Sequence, residues 1–90
     1  MKRQYGNTGR GASYLSRAAE EIRRNPRLLH IWAQKTAHRV FAGMLDHGES
    51  WDVLWAAAVA AGLDHLKAQR DIGMGFAAAR MIANTEGGAQ

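Results

Sequence analysis

The stretch "SWDVLWAAAVAAGLDHLK", residues 50–67, decides how this chain is built. Two tryptophans open it, alanines fill its middle, and a glycine interrupts it before a fresh polar segment. Between Ser50 and Gly62 the only charged residue is Asp52. Helical spacing puts Trp51, Leu54, Trp55 and Ala58 on one face and Val53, Ala56, Ala57 and Ala60 on the other. A helix that is apolar all round is normally surrounded by protein. In a short chain this predicts either a central helix or one partly covered by a second copy, so a homodimer is expected. Ser50 is the expected N-cap of this helix.

Further along, Asp64 suits the cap of another helix, with Leu66, Ile72, Phe76, Ala79 and Ala83 as its inner side. Gly73 and Gly75 fall in its middle, where each costs about 1 kcal/mol relative to alanine. The reading is one helix with a weak joint there. Gly75, Ala79 and Ala83 also form a small-residue ridge suited to close helix packing. Residues 85–90, TEGGAQ, read as a frayed tail.

Toward the N-terminus, Leu29, Trp32, Ala33, Thr36, Ala37, Val40 and Met44 make a continuous stripe, widened by Phe41 and Leu45. Gln34, Lys35, His38, Arg39 and Asp46 share the opposite arc. This predicts a helix over 27–47, ended by Gly48. Pro26 suits its first turn and disfavours helical geometry at Asn25. An earlier helix is therefore expected from Ser13 to that point, with Leu15, Ala18, Ala19 and Ile22 inward. Residues 1–12 hold Gly6, Gly9 and Gly11 with little apolar surface beyond Tyr5, which predicts a flexible basic arm. The expected fold is all-α: a bundle or orthogonal domain of about four helices spanning residues 13–84.

Ninety residues make one domain of limited stability, since a chain this short buries only about 60–65 % of its unfolded surface. There is no cysteine, which excludes disulfides and thiolate metal sites and fits a reducing compartment. No apolar run approaches the ~20 residues that span a bilayer. A soluble, cytoplasmic protein without a membrane partner is the expectation.

The net charge of +4 is unevenly spread. Residues 1–27 carry seven basic and two acidic side chains, and residues 28–90 carry five basic and six acidic ones. Lys2, Arg3, Arg10, Arg17, Arg23, Arg24 and Arg27 are thus the candidates for contact with phosphates or an acidic partner. Trp51, at the start of its helix, is the tryptophan best placed for an interface.

Catalysis has little support. Ser13, Ser16 and Ser50 read as caps or surface positions, and "GMGFAAAR" lacks the lysine and hydroxyl of a phosphate-binding loop. His30 and His38 stand two helical turns apart, and His47 and His65 lie elsewhere, so no metal-ligand spacing is formed. No cofactor and no metal are expected. Ala58, Gly62 and Leu63 match the turn of a helix-turn-helix, and His65, Lys67, Gln69 and Arg70 could face nucleic acid behind it. Asp71 falls where that motif wants an apolar anchor, however, and a glycine between two helices is common in any helical hairpin.

Two binding functions are left. The favoured expectation is a non-enzymatic module that occupies a protein or ribonucleoprotein surface. Small inhibitors from phages or mobile elements, anti-CRISPR proteins among them, exemplify such a class by size and lack of chemistry. The alternative is a small basic nucleic-acid-binding regulator with a partial helix-turn-helix.

Overall fold

The computed structural model describes residues 9–88, and the side-chain surroundings of residues 11–83. Four helices follow one another: α1 (Gly9–Arg24), α2 (Leu29–Phe41), α3 (His47–Ala60) and α4 (His65–Gly88). A single 3-10 turn, Pro26–Leu28, leads into α2. No strand occurs among the described residues. The all-α expectation therefore holds. α2 packs along α4 and α1 packs on α3, giving a slab of 42 × 33 × 17 Å.

Local chemistry sets each boundary. Asn25 is extended and its side chain accepts from the Arg27 N–H at 3.3 Å, which closes α1 and starts the proline turn. α2 ends six residues before the apolar pattern predicts. Gly43 adopts φ +80° there, the Met44 N–H donates to the Arg39 carbonyl, and the Gly43 N–H donates to that of Val40. These are the two bonds of a Schellman stop. Met44 consequently leaves the helical stripe and is exposed, while Leu45 turns inward.

The next boundary also differs from expectation. Asp46, not Ser50, caps α3, accepting from the Glu49 N–H at 2.8 Å. Gly48 lies inside the first turn of α3 and ends nothing. Ser50 is a fully buried helical residue whose Oγ has no hydrogen-bond partner. α3 ends like α2. Gly62 takes φ +100°, and Leu63 and Gly62 donate to the carbonyls of Ala58 and Val59. Asp64 then caps α4, as predicted, through the N–H groups of Leu66 and Lys67.

α1 begins at Gly9, four residues before Ser13. Gly11 is buried and shares a hollow with Met44 and Leu45, so tertiary cover extends the helix past glycines that local propensity would leave loose. Residues 1–8 of the expected arm lie outside the described residues, as do 89–90 of the expected tail.

The predicted inner stripe of α1 holds entirely: Leu15, Ala18, Ala19 and Ile22 are all buried. They join Leu29, Ala33 and Ala37 of α2, Leu54, Ala57 and Ala58 of α3, and Ile72, Phe76 and Ala79 of α4. On α4 the inner row differs at its ends. Leu66 and Ala83 are exposed, and Ala68 is buried in their place. α3 is not surrounded either, but beyond its first turn the exposed residues are only Asp52, Ala56 and Ala60. Its tryptophans and valines are half-buried.

α4 runs unbroken through Gly73 and Gly75, and the two glycines differ in kind. A Cβ at Gly75 would stand 2.7 Å from the Ala33 Cβ and 2.9 Å from the Gln34 nitrogen. Here α4 rests on the backbone of α2, and only a glycine fits. A Cβ at Gly73 would meet nothing within 4 Å.

Replacing Gly75 by alanine is expected to destabilise the fold by about 1–3 kcal/mol through overpacking. Gly73→Ala is expected to stabilise it by about 0.4–1 kcal/mol. Thermal unfolding followed by circular dichroism separates the two, since 1 kcal/mol moves Tm by roughly 4–8 °C in a domain of this size. Ser50→Ala is expected to leave stability unchanged or raise it by up to about 1 kcal/mol, because it removes an unpaired buried hydroxyl. A drop of about 1 kcal/mol would instead restore Ser50 as the cap of α3.

Candidate functional site

α1 and α2 diverge after the proline turn and meet again through one side chain. The Tyr14 hydroxyl lies 3.2 Å from the Oγ1 of the fully buried Thr36. The Tyr14 ring meets that of Trp32 edge-on, with centroids 5.7 Å apart. Around this contact the two helices leave a hollow of about 330 Å³, lined by Tyr14, Arg17, Trp32, Lys35 and Arg39. A second hollow of about 250 Å³ adjoins it across Tyr14 and Arg39 and ends at Gly11, Met44 and Leu45. Together they form a trough with Tyr14 and Arg39 at its waist.

The electrostatics of the trough are one-sided. Arg17, Lys35 and Arg39 contribute three positive charges, and no carboxylate of the described residues lines either hollow. Arg24 pairs with Glu20 and Glu21, and Lys67 with Asp71, away from the trough. Two of the trough cations are instead held against rings. The Arg39 guanidinium carbon lies 4.2 Å from the Tyr14 ring centroid and the Lys35 Nζ 5.3 Å from that of Trp32. Both fall within the range of cation–π attraction. An aromatic face orients a cation without neutralising it, so the charge stays available to an incoming anion. A guanidinium held this way keeps N–H edges that match the paired oxygens of phosphate or carboxylate.

The residues singled out from sequence are dispersed. Arg17 enters the trough. Arg23 borders a larger, open hollow between α1 and α3, of about 510 Å³, together with Glu20 and Glu49. Arg24 is engaged by its two glutamates, and Arg27 is exposed on the proline turn. Lys2 and Arg3, and the side chain of Arg10, lie outside the described residues. Trp51 is half-buried, tilted against Phe76 at 6.3 Å, in an aromatic group that includes His47 stacked on Phe76 at 5.0 Å. On α4, His65, Lys67, Gln69 and Arg70 are all exposed. The His65 ring nevertheless abuts Trp55 at 5.2 Å, and Lys67 is 3.5 Å from Asp71. Asp71 occupies the expected anchor position of the helix-turn-helix as a half-buried carboxylate. No group of three histidines or carboxylates placed to hold a metal occurs among the described residues.

Tyr14, Lys35 and Arg39 were not candidates from sequence, because Lys35 and Arg39 sit on the polar arc of α2. A signal does exist. Tyr14 and Arg17, and Trp32 and Lys35, repeat an aromatic residue followed three positions later by a cation, so each pair shares a helix face. Only the fold shows that the two faces meet.

No protein-family model, no curated protein and no solved structure matches the chain.

The hydroxyl pair at the waist is open to a double-mutant cycle. Tyr14→Phe leaves the buried Thr36 hydroxyl without its partner and is expected to cost about 1–2 kcal/mol. Adding Thr36→Val removes the orphan group, so the double variant is expected to recover much of that loss in urea unfolding. Strict additivity of the two losses would mean that the hydroxyls are not coupled.

Proposed function

We propose that the chain is a non-enzymatic helical binding module that acts by occupying an anionic face of a protein or ribonucleoprotein, with the α1–α2 trough as its contact. One observation carries the reading. Among the described residues, three cations converge on a concave surface with two aromatic rings and no lining carboxylate. In a chain of net charge +4 with eight acidic residues, such an arrangement favours encounter with a negative partner. Aromatic rings and arginines are also the side chains that most often dominate binding energy at interfaces.

Other surfaces suit a macromolecular partner. Leu66, Met74 and Met81 are 74 %, 54 % and 69 % exposed. They fall within an arc of about 80° on α4 at ~100° per residue. Adaptable methionines of this kind serve partner surfaces well. The trough, by contrast, offers little for catalysis. Among the described residues, its one hydroxyl is engaged by Thr36, and no carboxylate or histidine lines it to move a proton.

The second reading is a regulator that contacts nucleic acid through α4. The left-handed turn at Gly62 and the exposed His65, Lys67, Gln69 and Arg70 favour it. Asp64 and Asp71 on the same helix oppose it, since they would repel phosphates.

Affinity capture from native lysate tests the first reading. Wild-type protein is expected to retain a stoichiometric protein partner. The triple variant Arg17→Glu, Lys35→Glu, Arg39→Glu is expected to lose it while keeping its helical spectrum. Retention by this variant, with loss in Lys67→Glu, Arg70→Glu, would move the contact to α4 and overturn the proposal.

A further inference from the structure

The trough narrows the class of anion. An acidic protein segment would use the cations but leave the rings idle. Duplex nucleic acid presents phosphates outside and keeps its base faces stacked within. It is also read by elements that protrude into its grooves, whereas this surface is concave. Single strands are bound by cations that track the phosphates, interleaved with aromatic platforms on which bases stack. The trough has both parts within one short span. Trp32 is half-buried beside Lys35, and Tyr14 lies beneath Arg39.

Its length points the same way. Two hollows of about 330 and 250 Å³ share the Tyr14–Arg39 waist, which suits consecutive units of a chain. One end of the trough is Gly11, so it opens beside the first turn of α1.

We infer that the trough binds successive nucleotides of a single-stranded nucleic acid, with phosphates on Arg17, Lys35 and Arg39 and a base against Trp32. The inference rests on the reading that this trough is the contact face. It assigns the anionic component of a ribonucleoprotein partner to its exposed strand.

Fluorescence anisotropy of labelled oligo(U) and oligo(dT) at low salt tests it, with full-length protein. The strands are expected to bind at least about tenfold more tightly than a duplex of the same length. Arg17→Gln, Lys35→Gln and Arg39→Gln are each expected to weaken binding about three- to tenfold. Each should also flatten the slope of log K against log salt by about 0.7. Trp32→Phe keeps a ring in place and is expected to retain most of the affinity. Lys67→Gln and Arg70→Gln are expected to leave it unchanged.

Equal binding of strand and duplex would overturn the inference, as would equal displacement of the strand by polyglutamate. Displacement by uridine monophosphate at matching concentration would overturn the assignment to a polymer and leave a mononucleotide site. Equal sensitivity to the α4 and trough substitutions would reduce the effect to net charge and also overturn it. Absence of any nucleic-acid binding would overturn it as well. The lysate capture could still succeed in that case, through an acidic protein face, so the two failures are distinguishable.

Discussion

The contact on which the rest depends is the seat of Gly75 on the backbone of α2 at Ala33 and Gln34. With no Cβ between them, the two helices approach until main-chain atoms set the distance. That closeness buries Ile72, Phe76 and Ala79 against Ala33 and Ala37, and it makes the α2–α4 pair the spine of the slab. A glycine within a helix is unfavourable in isolation. Here its local cost is exchanged for dense packing. Because α4 covers that side of α2, the side bearing Trp32, Lys35 and Arg39 is left to meet α1.

The trough then follows from how α1 is attached. α1 gains most of its cover from α3, with which Ala18, Ala19 and Ile22 share the core. Toward α2 it offers chiefly Tyr14, whose hydroxyl reaches Thr36. A helix held firmly on one side and by a single ring on the other leaves concave space next to that ring. Lys35 and Arg39 stand exposed at its rim with their charged ends over the ring faces of Trp32 and Tyr14. Two structural roles thus coincide in Tyr14, which joins α1 to α2 and carries Arg39.

Much of this was legible in the chain, and the misses have physical causes. The α1 stripe, the break at Asn25–Pro26, the glycine stop at 62 and the cap at Asp64 follow from rules that act within a few residues. The end of α2 was misread because Met44 and Leu45 continue its apolar rhythm. Periodicity alone does not separate a further helical turn from a reversal whose leucine folds back inward. Ser50 looked like a cap, yet Asp46 stands four residues earlier and takes that role. Leu66 and Ala83 were misassigned because the ends of α4 reach past the body they pack on. The trough was hidden for a stronger reason. Lys35 and Arg39 lie on the polar arc that any amphipathic helix shows, and their meaning depends on Tyr14 and Arg17, which the fold brings from another helix.

The make-up of the interior has a consequence for how this protein tolerates change. Among the described residues, eight of the fifteen buried apolar ones are alanines. At such positions there is almost nothing to trim, so loss of volume threatens only a few sites, chiefly Ile22, Leu29, Leu54, Ile72 and Phe76. Enlargement is the greater hazard. One extra methylene at an alanine or at Gly75 must push two helical axes apart, and in a slab only 17 Å thick there is no second layer to absorb the shift. Variation is therefore free to accumulate on the rim, where ligand preference would be set, while the spacing of the helices stays locked.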